Sequence, residues 1–369
     1  MLAIILLLGA YLRNYNLTVW PREGATFDEF AWVFQGLSLW EKGVPTSWSP
    51  HKEYTERVDY YNPQGAHFSL VTPYLEHPPL FGLVAGGFAR IIGITSFDAV
   101  AIAKIRPLAL ILGVLSILAV YLLANEVFGS FIGLISALFY AVIPTVVVGS
   151  RIVQNENFFI PFFLLSLYFA YRYIAHGSKG SVYPAILIAG ILPLAKIPWI
   201  AAPAAVFAMF LYTHKAREAW VMVGVTFIAV LSYFAYGIYF DKTVFFNLWN
   251  LQLTRYDMSF NSFFAIFQNP MITDRTFVDG WLYLGWATFV LFMSRNLKKT
   301  YPVIFGFIAY FLIYLAGIPN EAGHGWYRYP FYPFLIIGLA VIAYEYFIKN
   351  RILTFAALAV TGLSLLEYM

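Results

Sequence analysis

The chain contains no cysteine, which excludes a disulfide framework, a thiolate nucleophile and a Cys-ligated metal, and leaves the redox compartment unread. Charge is scarce too: Asp, Glu, Lys and Arg make up 11% of the 369 residues, against about 25% in an ordinary soluble domain. The basic residues are scattered over loops rather than gathered in one stripe, and the formal net charge is only +4, so nucleic acid is not an expected partner. There is no internal repeat, heptad run or low-complexity tract, and no hydrophilic stretch long enough for a separate soluble domain. A single domain, 1–369, is expected.

Apolar surface is abundant. With 61% hydrophobic and 20% aromatic residues, the chain has more apolar side chain than one soluble core can hide, and reads as a polytopic membrane protein. Its 36 Phe, 27 Tyr and 10 Trp crowd near the ends of the apolar segments, where amphipathic rings suit the headgroup region.

The expected fold is all-α, a bundle of about eleven transmembrane spans. They run at roughly 1–17, 105–125, 129–149, 158–175, 182–195, 197–213, 219–239, 281–294, 301–318, 330–348 and 352–367. The opening segment lacks a basic n-region and a small-residue cleavage site, and so reads as a short or truncated first span rather than a signal peptide. The stretch 80–94, with Gly82, Gly86, Gly87 and Arg90, is only ~15 residues long and suits an interfacial or re-entrant helix. If it does not cross and the N-terminus is cytoplasmic, the loops carrying Lys179, Lys215 with Arg217, Arg295 with Lys298 and Lys299, and Lys349 with Arg351 all face the cytoplasm, as the positive-inside rule expects. The same parity puts the 18–104 loop, Glu156, Lys196, the 240–280 loop, His324 and Arg328 together on the extracytoplasmic face of an integral, multi-pass protein of the cell membrane.

Ionisable groups beside a bilayer are costly and point to function by default. Asp28 and Glu29 open an apolar stretch that reads as a surface helix; they are either helix-start acids or carboxylates with chemistry to do. Glu156 lies five residues beyond Arg151, as an interfacial ion pair or as a second carboxylate for a base or a cation site. Glu76-His77-Pro78-Pro79 is a rigid turn with two ionisable groups. Lys196 sits between two apolar spans and must snorkel to water or meet an anion. His324, Tyr327 and Arg328 gather before the 330–348 span, either as headgroup anchors or as a phosphate grip.

Taken in order, Asp28-Glu29, His77-Pro78-Pro79-Leu80, Arg106-Pro107, Ser150-Arg151 with Glu156, Lys196, and Arg328-Tyr329-Pro330-Phe331-Tyr332-Pro333 resemble the GT-C membrane glycosyltransferases. Within that class the resemblance is to the branch of protein O-mannosyltransferases and aminoarabinose transferases, which use dolichyl- or undecaprenyl-phosphate sugars. The resemblance implies surface helices in the first outer loop, Asp28 as catalytic base, Glu156 as a second outer acid, and His77 and Arg328 near the lipid phosphate. Glu156 departs from the Asp of many relatives, and the Trp-Trp-Asp-Tyr-Gly signature of oligosaccharyltransferases is absent.

The chemistry this implies is transfer of a sugar from a lipid-linked donor in the membrane to a hydroxyl on an unidentified protein, lipid or glycan acceptor. Arg328, with His77 or Lys196 and Tyr327, is expected to hold the phosphate while Asp28 deprotonates the acceptor, giving inversion. Glu29, Arg151 and His324 complete the expected substrate-binding set. Mg2+ or Mn2+ held by Asp28 and Glu156 is a further option. The rival class is a transporter or flippase, which would place its charges near the bilayer midplane in two similar halves.

Overall fold

In a computed structural model, residues 1–24, 26–254, 260–268, 271–272, 275–276, 280–317 and 325–347 are described, together with Ala359. Among them the chain is overwhelmingly helical. Helix α1 (Leu2–Asn14) is followed by a long loop that holds α2 (Asp28–Lys42), three short strands and α3 (Leu80–Ile91). The strands, β1 (Ser47–Trp48), β2 (Val58–Tyr61) and β3 (His67–Val71), form an antiparallel sheet in the order β1-β3-β2.

The bundle proper contains α4 (Ile102–Phe128), α5 (Ser130–Val142), α6 (Pro144–Gly149), α7 (Asn155–His176), α8 (Lys179–Ile191), α9 (Ala201–Tyr212) and α10 (Ala216–Thr254). A short α11 (Phe260–Ala265) leads to α12 (Trp281–Met293), α13 (Leu297–Gly317) and α14 (Tyr332–Phe347). Five segments are long and apolar enough to cross a membrane: 102–128, 155–176, 216–254, 297–316 and 325–346. Six apolar helical stretches are shorter, at 2–14, 80–91, 130–142, 179–194, 197–212 and 281–293. The expected span at 352–367 lies outside the described residues.

Two expectations need correction. The segment 129–149 is not one continuous helix, because Ile143 is extended before Pro144, and that proline opens α6 at its N-terminus; proline is tolerated there because its missing N–H has no helical partner to lose. The 240–280 stretch begins as helix rather than loop. Asp241 breaks α10 with φ −162 and ψ 102, and its carboxylate accepts the Val244 N–H at 2.9 Å, which caps a second helical segment running to Thr254. The fold-back is tight enough that a Cβ on Gly237 would lie 2.2 Å from the Phe245 ring.

Between helices in lipid, close packing matters more than burial from water. α2 and α3 show how close: a Cβ on Gly36 would fall 1.7 Å from the Gly82 carbonyl oxygen, and one on Gly86 2.2 Å from Gly36 carbon. At about 1.5 Å per residue, the twelve residues of α3 span only about 18 Å, less than the bilayer core. It is paired with α2 in the first loop; on α2, Phe34 stacks on Phe97 at 4.3 Å and Phe30 meets Phe68 of β3 at 5.1 Å. The bundle core is aromatic, with Phe159 lying flat on Trp199 at 4.2 Å.

The helix ends sort into two groups. At one end, His176 meets Glu126 at 2.7 Å, the Tyr173 hydroxyl donates to Glu218 at 2.5 Å, and Arg295 pairs with Glu345. At the other end, α2, the 74–79 loop, the start of α7, the 192–200 turns and the 325–331 turn converge. The chain is an integral membrane protein of helical-bundle type.

Candidate active site

Consecutive residues on a helix point about 100° apart, so the adjacent acids that open α2 have different surroundings. Glu29 turns inward and is fully buried. Both its oxygens accept from Arg106, at 3.2 Å from Nε and 3.0 Å from Nη2. The Val153 backbone N–H donates to the same carboxylate at 2.9 Å. Arg106 also donates to the carbonyls of Leu17 and Pro21, at 2.7 and 2.5 Å. This network ties the loop after α1, the start of α2, the start of α4 and the 150–154 turn into one unit. Glu29 was expected near substrate; it serves instead as the anion that compensates Arg106, away from the cavity.

Asp28 turns the other way and lines a cavity of about 490 Å³. Its Oδ2 accepts from Gln154 Nε2 at 2.8 Å. The cavity is walled by α2, the loop around Tyr74, Glu76 and His77, the turn at Lys196, the second segment of α10, and Tyr327. His77 packs its ring against Trp32 at 5.0 Å, with its carbonyl accepting from Gln35 at 3.1 Å. His51 and Glu76 also face the cavity, 3.5 Å apart. Burial, reinforced by Glu76, pushes the Tyr74 phenol well above its ordinary pKa, so it remains a neutral donor.

Lys196 neither snorkels nor stands alone. It sits between two 3-10 turns, 192–194 and 197–200, and its Nζ donates to Glu156 Oε1 at 2.8 Å. The same ammonium lies 4.4 Å from the centre of the Tyr327 ring and 5.5 Å from that of Trp199. Burial works against its charge, but Glu156, Tyr327 and Asp28 outweigh that and hold its pKa above the ordinary lysine value. The result is a permanent cation, caged by aromatic faces, on the wall of the cavity that holds Asp28.

The start of α7 organises these groups. Gln154 reaches Asp28; the Asn155 side chain donates to the Ala195 carbonyl at 2.8 Å and accepts from the Trp199 indole at 2.6 Å. Glu156 holds Lys196, and Asn157 donates back to Gly149 and Ile152 at 3.0 and 2.9 Å. Gln154, Asn155 and Trp199 were not singled out from sequence. Neutral amides carry no charge signature, although four polar side chains in a row at the mouth of an apolar span were a signal.

Other expected residues fall elsewhere. Arg151 does not pair with Glu156: its guanidinium donates to Trp20 and Leu12 carbonyls at 2.8 and 2.7 Å, pinning the end of α1 away from the cavity. Arg328 is 4% exposed, is not among the cavity-lining residues, and donates to the Gln268 carbonyl at 3.3 Å. His324 lies outside the described residues. Asp28 and Glu156 make a poor metal cradle, since Lys196 already neutralises Glu156, which does not line the cavity. No three His, Asp or Glu side chains converge among the described residues. This donor set does not fit a divalent cation.

A family model described as dolichyl-phosphate-mannose-protein mannosyltransferase matches residues 76–238. No curated protein matches the chain in sequence. Among solved structures, ArnT from Cupriavidus metallidurans bound to undecaprenyl phosphate superposes with a TM-score of 0.60 at 16% identity, over 92% of this chain and 59% of that one. The Archaeoglobus fulgidus oligosaccharyltransferase in complex with Zn and sulfate gives 0.56 at 16% identity, over 100% and 52%. AglB from the same organism, in complex with an inhibitory peptide and a dolichol-phosphate, gives 0.54 at 15% identity, over 100% and 55%. The chain spans between about half and three-fifths of the length of these proteins. A helical membrane bundle with paired helices in its first long loop, superposing on these enzymes over nearly its whole length, has the GT-C fold of membrane glycosyltransferases.

Proposed function

We propose that this protein moves a sugar from a polyprenyl-phosphate donor to an acceptor hydroxyl on the extracytoplasmic face of the cell membrane. The observation that carries the reading is the meeting of Asp28 and Lys196 in one cavity, a carboxylate and a lasting cation brought together from segments 168 residues apart in sequence.

Asp28 takes the proton from the acceptor hydroxyl as its oxygen attacks the anomeric carbon. The bond from that carbon to the phosphate oxygen breaks on the opposite face, so configuration inverts. Negative charge grows on the departing polyprenyl phosphate, and Lys196 lies where a fixed cation can meet it, an interaction strongest where water is excluded. Glu156 keeps the ammonium in place, and His77 and Tyr74 line the remaining wall. The match to the mannosyltransferase family over 76–238 makes mannose the first sugar to test. Sidedness rests on the loops with Lys179, Lys215, Arg217, Arg295, Lys298 and Lys299, which lie at the bundle end opposite the cavity and suit the cytoplasm.

The test is incubation of the purified full chain with radiolabelled polyprenyl-phosphate mannose, with water and with candidate hydroxyl acceptors. Release or transfer of mannose by the parent, and its loss in Asp28→Asn with donor binding retained, supports the reading. Donor binding with no release under any acceptor condition counts against it.

A further inference from the structure

The side chain behind the proposed base is Gln154, which is 1% exposed and is not part of the cavity wall. Its Oε1 accepts from the Trp32 indole N–H at 3.0 Å and from the Asn155 backbone N–H at 3.4 Å. Both of those groups can only donate. The amide oxygen is therefore committed to them, and the NH2 must face Asp28 Oδ2, 2.8 Å away. One residue earlier, the Val153 N–H holds Glu29, so two successive residues of the turn before α7 each grip one of two successive carboxylates at the start of α2.

We infer that Gln154 is a positioning residue for the transfer reaction. It ties down one oxygen of Asp28 and leaves the other to meet the acceptor proton. The inference rests on the reading of Asp28 as base. A carboxylate turns freely about its terminal torsion, for which no narrow rotamer exists, and a base that wanders from hydrogen-bond reach of its proton loses rate steeply. The amide donor removes that freedom without touching substrate, so its loss belongs in kcat and not in KM.

The charged or titratable groups that share Asp28's cavity are Lys196, Glu76, His77 and His51, with the phenols of Tyr74, Tyr233 and Tyr327, while Glu29 is turned away into Arg106. Substituting Gln154 alters none of them. A change in the pH dependence then reports the missing donor.

The experiment compares full-length parent, Gln154→Met, Gln154→Glu and Asp28→Asn in hydrolysis of radiolabelled polyprenyl-phosphate mannose across pH, with melting temperature and donor binding measured on each. Met keeps the shape of Gln and removes the donor; Glu adds a carboxylate facing Asp28. For Gln154→Met, kcat is expected to fall about 10- to 100-fold with KM within threefold of the parent. In both variants the acid limb of kcat moves to higher pH, further in Gln154→Glu, because a like charge opposes ionisation of the base. An unmoved acid limb overturns the inference, whether the rate is unchanged or falls together with a raised KM, as a merely structural role would give. If one variant does not fold, the other decides; failure of both to fold marks Gln154 as structural and also overturns it. Parent-like hydrolysis by Asp28→Asn sinks the base assignment itself, whereas an inert Asp28→Asn beside unaffected Gln154 variants sinks only the positioning role.

Discussion

On the proposed function, the two acids at the start of α2 divide stability from chemistry. Among the described residues, Glu29 is the carboxylate paired with the fully buried Arg106, and removing one partner of a buried pair strands the other charge. Glu29→Ala is expected to cost about 3–5 kcal/mol, read as a lowered melting temperature in detergent, whereas Asp28→Asn should melt close to the parent and lose about 100- to 10,000-fold in transfer rate. Equal melting temperatures for the two variants would contradict this division. The sequence showed two neighbouring carboxylates and no means of separating them except resemblance; the separation comes from the helical turn between them and from a guanidinium 77 residues away. Lys196 makes the complementary case. Its raised pKa means that its charge, and the stability it lends through Glu156, is fully present below the ordinary lysine value and is lost only as pH rises through the higher folded value. Lys196→Met should therefore lower transfer at neutral pH, while any alkaline loss of activity below the ordinary lysine range should persist unchanged in a Lys196→Arg variant, as a pH–rate comparison would reveal.

At the scale of elements, the paired helices of the first loop depend on glycine where backbones touch. Gly36 and Gly86 leave no room for a side chain, so Gly86→Val must push α3 off α2 and shift the 74–79 loop that carries His77 into the cavity. The expected result is a KM for donor raised several-fold with a lower melting temperature; Gly87→Ala, where the nearest atom is the Trp40 indole nitrogen at 3.2 Å, is the milder control. Gly82, Gly86 and Gly87 were visible in the sequence as a reason to doubt that 80–94 crosses the membrane, and their meaning is contact with a specific partner helix. The break at Ile143 went unread although Pro144 follows it, and the charged pair Asp241-Lys242 read as the end of a span rather than as a bend into a second helical segment. Apolar composition records that a segment prefers lipid or core and is silent about where its backbone bends.

At the scale of the molecule, the arrangement of spans was largely legible, since length and apolarity are local properties and the loop charges follow one rule. Which side chains would meet was less so: Asp28, Glu156 and Lys196 come from three segments linked only by parity and by resemblance, and Gln154 carried no signal of its own. That parity has a direct test, made simple by the absence of cysteine. A single cysteine at the exposed Ser294, in the turn between α12 and α13, is expected to resist an impermeant thiol reagent in intact cells and to react after permeabilisation. Labelling in intact cells would invert the orientation and move the cavity to the cytoplasmic side.

The four polar side chains opening α7 have a consequence for how the protein matures. Gln154 and Glu156 reach in different directions, one to a carboxylate presented more than 120 residues earlier in synthesis and the other to an ammonium 40 residues later. A nascent chain halted before Lys196 holds Asp28 without the cation that shares its cavity and Glu156 without the ammonium it pairs with. The centre closes only when the early loop and the later helices are all inserted and docked, so on the proposed function a chain halted before Lys196 is expected to be inactive.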